Sequence, residues 1–257
     1  MGIPVYIVSL RRDIDRRAKI AADLTRIGVE FIFFDAVDAK DECNLQTLGA
    51  MKSSGDGGSM TNGELACTLS HQYIYQKMVT QEIDWAIILE DDVVVDNRFK
   101  SLWMSLNQGE YKKLSHDKLY LLGGQKGLHE YPVLATSIIS KLKVGEIDFR
   151  RINYNINKIR RTCCYLLSNS MAKDLLALTE SYGTYRADSW KIMYNRGIIK
   201  DFYLSEIISH PIVNDFNSHL ESERSLISVK KVKRTKFQKT MKLLRSWIKV
   251  GFFSLLR

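Results

Sequence analysis

An α/β fold, with a mainly parallel sheet flanked by helices, is predicted by three features of the sequence. The first 35 residues read as strand, helix, strand, the unit whose two strands are expected to pair in parallel. A later run, Ala86-Ile87-Ile88-Leu89, is continuously apolar and partly β-branched, the pattern of a central strand covered on both faces. The composition, 45% apolar and 26% charged over 257 residues, suits one large domain or two small ones with a sizeable core.

In chain order, Ile3 to Ser9 is a short apolar strand in which Pro4 stands near the start, where its missing N–H is tolerated. Asp13 is placed to cap a helix whose apolar residues Ile14, Ala18, Ala21, Leu24 and Ile27 recur at three- and four-residue spacing, and Gly28 closes it. Val29 to Phe34 is the second strand. The two loops at these strand ends carry Arg11, Arg12, Arg16 and Arg17 on one side and Asp35 and Asp38 on the other. An acid at the end of a second strand can hold a ribose hydroxyl; equally, Asp13 and Arg17 can pair across one helical turn.

Residues 40 to 61, rich in Gly and Ser, predict a flexible loop over the strand ends. Thr61-Asn62-Gly63-Glu64 is a capping box opening a helix to about Val79. On that helix Glu64, Cys67 or Thr68, and His71 share a side, while Leu65, Leu69 and Tyr73 form a separate apolar row. Glu64 and His71 are therefore candidates for catalysis, or simply a cap and a structural histidine. Further elements are a helix from Asp96 or Asn97 through Leu106, a strand Lys118 to Leu122 ending at Gly123-Gly124, a strand Thr162 to Leu167, a helix after Ser168 or Asn169, and a strand Ile198 to Leu204. The glycine pair permits close approach of a ligand or makes a turn. Residues 125 to 160 yield no clear element, and Tyr182 to Trp190 reads as a polar-aromatic turn.

The chemistry concentrates where the central strand meets Glu90-Asp91-Asp92. Alternate residues of a strand share a face, so Glu90 and Asp92 project together and Asp91 points away. Two clustered anions suit a hard divalent cation, Mg²⁺ or Mn²⁺, and ligands of α/β sheets bind beyond the carboxyl ends of the strands. A solvated acidic turn is the plainer alternative. His210 is a candidate third ligand or an ordinary turn residue.

Ten of the 38 Lys and Arg residues fall in 230–257, which contains no acid, so the remaining 28 bases face 29 acids. The formal charge of +9 thus belongs to the tail, and a nucleic-acid-binding domain, which would carry its own basic face, is not expected. In this tail Phe237, Met241, Leu244, Trp247 or Ile248, and Phe252 recur at helical spacing among Lys239, Lys242, Arg245 and Lys249, the pattern of a helix lying on an anionic membrane surface. The alternatives are packing on the chain's own core or RNA binding. No apolar run of about 18 residues is present, and no secretion signal is legible, so the expected location is cytoplasmic. The four cysteines show no Cys-x-x-Cys or zinc spacing, consistent with reduced thiols.

Four segments together resemble glycosyltransferase family 25, the lipooligosaccharide galactosyltransferases: Val5-Tyr6-Ile7-Val8-Ser9-Leu10 with Asp13, Arg16 and Arg17; Phe34-Asp35-Ala36-Val37-Asp38-Ala39; Gly63 through His71; and Ile88-Leu89-Glu90-Asp91-Asp92-Val93. Beyond residue 110 the likeness rests on Ala187-Asp188-Ser189-Trp190 and His210-Pro211. The resemblance implies a GT-A-like, Rossmann-type sheet over residues 1–229, a nucleotide-sugar donor such as UDP-galactose, inversion at the anomeric carbon, and an acidic metal motif at Glu90 to Asp92. The residues expected at the donor are Ser9, Leu10, Arg11, Arg17, Asp35, Asp38 and Asp91, and those expected at the metal are Glu90, Asp92 and His210. The family's Glu-Ala-Val-Asp-Gly stands here as Asp35-Ala36-Val37-Asp38-Ala39, keeping the second acid. Asp188, flanked by Tyr185 and Trp190 that could stack on sugar, is the first candidate for the base an inverting displacement needs, or else a helix cap. Glu64 and His71 follow it.

The expectation is therefore a glycosyltransferase on the cytoplasmic face of the inner membrane, acting on a lipid-linked oligosaccharide, with residues 230–257 as a membrane-associating tail. A Mg²⁺-dependent phosphodiesterase or nucleotidyltransferase would use the same carboxylates. A non-catalytic membrane-binding module would need only the tail.

Overall fold

The computed structural model describes residues 2–126, 128, 133–211 and 236–256, the side chains of the last segment from 240 onward. The elements are β1 (Val5–Ser9), α1 (Ile14–Ile27), β2 (Ile32–Asp35), α2 (Leu45–Lys52), α3 (Asn62–Thr80), β3 (Trp85–Glu90), α4 (Asn97–Asn107), β4 (Lys118–Gly123), β5 (Ala135–Val144), β6 (Ile147–Tyr154), β7 (Cys164–Ser168), α5 (Asn169–Tyr182), α6 (Trp190–Asn195), β8 (Asp201–Ile208) and α7 (Lys236–Ser254).

The strands form one eight-stranded sheet in the order β2-β1-β3-β7-β4-β8-β6-β5. The expected unit is present, with β1 parallel to both β2 and β3. The sheet as a whole is mixed, because β7 enters antiparallel between β3 and β4, β4 pairs β8 in parallel, and β6 and β5 extend it antiparallel. This alternation has a positional consequence. The ends of β1, β2, β3, β4 and β8 and the start of β7 all reach the same rim of the sheet.

Alternate side chains of β3 bury against opposite layers. Ile87 and Leu89 pack with Ile20, Leu24 and Ile27 of α1 and Phe99, Leu102 and Leu106 of α4. Ala86 and Ile88 face Ile74 and Met78 of α3 and Met171, Leu175 and Leu178 of α5. Continuing that alternation sends Glu90 toward the α3 layer.

Several local expectations change with tertiary context. Asp13 occupies the cap position of α1 without a side-chain capping bond, its carboxylate lying beside Arg12 and Arg16 instead. Residues 40 to 61 fold into α2 and two short 3₁₀ turns; Leu48 and Met60 are buried against Leu65, Ala66 and Leu69 of α3, and Asp56 N–H bonds Thr184 O at 2.7 Å. Tyr73 stays exposed, and the inner face of α3 continues through Ile74 and Met78. The unassigned stretch contains the β5–β6 hairpin, turned at Gly145, whose alternation is obscured by a register shift and two exposed isoleucines, Ile138 and Ile139. Tyr131 and Pro132 lie outside the described residues. Tyr185 and Trp190 are core residues, 2% and 0% exposed, so neither is presented to sugar. Gly123 and Gly124 serve the protein's own packing: a Cβ on Gly123 would meet Ile208 O at 2.0 Å, and one on Gly124 would meet Cys163 Sγ at 2.6 Å.

The tail forms the expected helix from 236, with the 229/230 boundary outside the described residues. Its far end rests on the hairpin. Phe253 stacks on Tyr154 with ring centroids 4.2 Å apart, Asn153 Nδ2 donates to Leu256 O at 2.6 Å, and Ser137 Oγ donates to the same carbonyl at 2.9 Å. Leu244, Trp247, Ile248 and Phe252 remain exposed.

The capping box forms as read: Thr61 Oγ1 accepts from Glu64 N–H at 3.1 Å, and Glu64 Oε2 accepts from Thr61 N–H at 3.0 Å. Thr61→Ala should therefore lower stability by about 1 kcal/mol, typical for an N-cap. Urea unfolding should show a lower midpoint with an unchanged slope.

Candidate functional site

The rim of the sheet gathers the acidic triplet. Because β3 ends at Glu90, the next two residues leave the strand, and each acid finds different partners. Glu90 accepts from Thr162 Oγ1 at 2.8 Å, a residue brought alongside by the antiparallel start of β7. Asp91 turns to β1 and α1, accepting from Ser9 Oγ at 2.6 Å and pairing Arg16 at 3.1 Å. Asp92 takes the other arm of Arg16 at 2.7 Å. Its second oxygen lies 3.3 Å from His210 Nε2, an ion pair without a well-formed hydrogen bond. Reciprocal backbone bonds between Val94 and Ser209 bring His210 beside Asp92.

Burial and mutual repulsion set the charges. Burial, then the neighbouring Asp92 carboxylate, push Glu90 up to about 7. Burial raises Asp91 against the opposing pull of Ser9 and Arg16. Asp92 would also rise on burial, but His210 and Arg16 hold it below the usual carboxylate range. Burial works against charge on His210, and Asp92 outweighs it, so His210 stands above the ordinary imidazole value. One Glu90 oxygen, one Asp92 oxygen and a His210 nitrogen lie within 4.8 Å of one another. The two carboxylate oxygens suit Mn²⁺ or Mg²⁺, and Asp92 Oδ1, buried without a hydrogen-bond partner, is the kind of atom a cation would satisfy.

Beside the triplet opens a cavity of about 370 Å³, within the range of small-molecule sites. Ser9, Leu10, Asp38 and Asp91 line it, as do Cys67 and His71 of α3 and Arg12, Arg16 and Lys40. Arg11, Arg17 and Asp35 lie outside the lining; both arginines pair Asp35 at 2.8 Å, and Arg17 also covers the Phe33 ring. This replaces the anticipated pairing of Asp13 with Arg17. Arg12 pairs Asp38 across the cavity mouth.

The three base candidates occupy different surroundings. Glu64 is outside the lining, engaged in the capping box and in a 3.1 Å pair with Arg186. His71 is fully buried, with Nδ1 2.7 Å from Tyr165 Oη and Nε2 without a hydrogen-bond partner; burial holds its pKa at about 4. Asp188 is half-buried, outside the lining, and accepts from the backbone N–H of Arg161 at 3.1 Å, one residue from Thr162. Nothing in the sequence announces the contacts of Thr162 and Arg16 with the acids: Thr162 reads only as a strand residue, and Arg16 as a loop charge that belongs to the first family-like segment.

A family model described as glycosyltransferase family 25 (LPS biosynthesis protein) matches residues 2–190. Human procollagen galactosyltransferase 2 is 24% identical over 162 residues, 60% of this chain and 26% of its own length. A bovine probable inactive glycosyltransferase 25 family member 3 is 32% identical over 125 residues, 46% and 21% respectively. The chain thus spans about a fifth to a quarter of these relatives. Among solved structures, a Drosophila β-1,4-galactosyltransferase 7 mutant complexed with manganese, UDP-Gal and xylobiose aligns with TM-score 0.41 and 11% identity over 93% of this chain and 84% of that one. With a match covering 2–190 of 257 residues, the chain belongs to glycosyltransferase family 25.

Proposed function

We propose that the chain is an inverting, metal-dependent glycosyltransferase that moves galactose from UDP-galactose to a lipid-linked oligosaccharide, a growing lipooligosaccharide, in the manner of a β-1,4-galactosyltransferase. The observation that carries the proposal is the convergence of Glu90, Asp92 and His210 beside a 370 Å³ cavity with basic side chains in its wall. Family membership, and relatives named as galactosyltransferases, support the donor.

In this reading Glu90, Asp92 and His210 would hold Mn²⁺ or Mg²⁺, which would supply Lewis-acid stabilisation of a diphosphate leaving group. Arg16 lies between Asp91 and Asp92 and offsets their mutual repulsion. Asp38, in the loop three residues beyond the end of β2 and in the cavity lining, is positioned for a ribose hydroxyl. Asp188, held by the Arg161 N–H one residue from Glu90's partner Thr162, would accept the proton of the acceptor hydroxyl.

Asp92→Asn should keep the fold and lose nearly all transfer in Mn²⁺, since the amide preserves shape and removes the charge that holds the cation. Near-normal turnover, or release of UMP in place of UDP, would overturn the assignment. Asp188→Asn should leave UDP affinity intact and lower turnover by about a hundredfold or more. Weakened donor binding with unchanged saturated turnover would refute its role as base.

We assign α7 to an anionic membrane surface, the cytoplasmic face of the inner membrane. Exposed Trp247, Ile248 and Phe252 form an apolar face among Lys242, Arg245 and Lys249, and each basic residue near such a surface adds about 1 kcal/mol. Full-length protein carrying Trp247→Glu and Phe252→Glu should stay folded, because neither ring is buried, yet stop sedimenting with anionic liposomes. Sedimentation equal to the unaltered protein would exclude α7 as the attachment.

A further inference from the structure

The α3 wall of the cavity holds two ligating side chains, Cys67 and His71, that the proposed transfer reaction does not use. Cys67 and His71 are one helical turn apart and so share a face of α3, the spacing by which two helical side chains reach one ion. The Cys67 thiol, a His71 nitrogen and a Glu90 oxygen lie within 4.8 Å of one another. All three residues line the cavity. His71 supplies an independent observation: it is 0% exposed, yet Nε2 has no hydrogen-bond partner.

We propose that Cys67 Sγ, His71 Nε2 and one Glu90 oxygen form a site for a soft or borderline divalent cation, zinc being the natural occupant, with Glu90 shared between this site and the Glu90–Asp92–His210 cluster. The donor set decides the class of ion. The thiolate, which the other cluster lacks, favours zinc over magnesium or manganese, which take oxygen ligands by preference. Three protein ligands leave a fourth position open to the cavity, the arrangement of an accessible zinc site.

The surroundings of His71 suit this role. Ligation through Nε2 requires the other ring nitrogen to carry the proton, and Nδ1–H then donates to Tyr165 Oη at 2.7 Å; Tyr165 Oη also shares a 2.9 Å hydrogen bond with Tyr75 Oη, in which either hydroxyl can donate. A ligating histidine almost always has such a partner, which fixes its tautomer and ring orientation. Burial also keeps the imidazole neutral and able to bind a cation. On binding, the Cys67 thiol becomes a thiolate and its proton leaves to solvent, so no oxidant or reductant is involved.

Sharing Glu90 couples the two sites. A carboxylate drawn toward zinc has less charge to offer the hard cation, so zinc and manganese should oppose one another. This site does not depend on the chain transferring sugar, and its test is spectroscopic.

Cobalt(II) is the probe, because thiolate ligation gives it an intense near-ultraviolet charge-transfer absorption. Titration of the full chain with cobalt should produce a saturable band that zinc abolishes and magnesium does not. Cys43→Ser removes an exposed thiol and should leave the band intact. Cys67→Ser, a conservative change, should remove the band, and Glu90→Gln should weaken cobalt binding by about tenfold or more. His210→Ala disturbs only the other cluster and should retain the band. In a parallel arm, zinc should raise the free Mn²⁺ resonance in a manganese-loaded sample of the wild type but not of Cys67→Ser. Absence of the band from the wild type, or its persistence in a folded Cys67→Ser protein, would overturn the proposal. Loss of transfer in Asp92→Asn with the cobalt band retained would leave this site standing and concern the other cluster alone.

Discussion

Three consecutive carboxylates at the end of a buried strand are the constraint to which the rest of the rim is fitted. Carboxylates removed from water need partners, since an uncompensated buried charge costs several kcal/mol. Each partner arrives on a different element: Ser9 on β1, Arg16 on α1, Thr162 at the start of β7 and His210 after β8. That requirement gives the mixed sheet its functional sense. Were β7 parallel to β3, its opposite end would lie at this rim and Thr162 would be a strand length away. Gly123 and Gly124 belong to the same constraint, because a side chain at either would push β8 or Cys163 from the position that brings His210 to Asp92.

Helix α3 joins the stability of the molecule to its chemistry. Its first turn is fixed by the capping box and by the Arg186 pair, its buried side meets the α5 layer, and its middle turn presents Cys67 and His71 to the cavity. The α2 segment, buried through Leu48, closes over Leu65 and Leu69 on another face. A helix packed on this many sides cannot display one apolar stripe, which explains why the simple row Leu65, Leu69, Tyr73 describes only part of it.

What was legible in the sequence was what depends on neighbours along the chain. The capping box follows from a four-residue motif and appears in the structure; Glu90 and Asp92 do come together, but through the turn that follows β3 rather than through strand alternation. The βαβ start, β4 and the helix after Ser168 are likewise set by local periodicity. The misreadings share the opposite property. Trp190 and Tyr185 look like a surface aromatic pair because their neighbours are polar, and only packing with Tyr165, Phe202 and Leu175 shows them to be core. The Gly and Ser content of 40 to 61 hides an eight-residue helix whose stability comes from burial of Leu48 rather than from propensity. In the hairpin, the register shift between Thr136 and Lys141 breaks the two-residue period by which a strand is recognised.

The C-terminal helix serves two surfaces. The apolar stripe read at helical spacing, Leu244, Trp247 or Ile248, and Phe252, turns outward, while its neighbour Phe253, outside that stripe, turns inward onto Tyr154. The inward contact fixes the helix end through two side chains of the hairpin, Ser137 and Asn153, both donating to the Leu256 carbonyl. A helix end satisfied in this way loses an orphan acceptor that water would otherwise have to meet. The outward face is then held at a set angle to β5 and β6, strands of the same sheet whose β3 carries the acids. Any surface that takes up Trp247 and Phe252 therefore meets the sheet in one orientation.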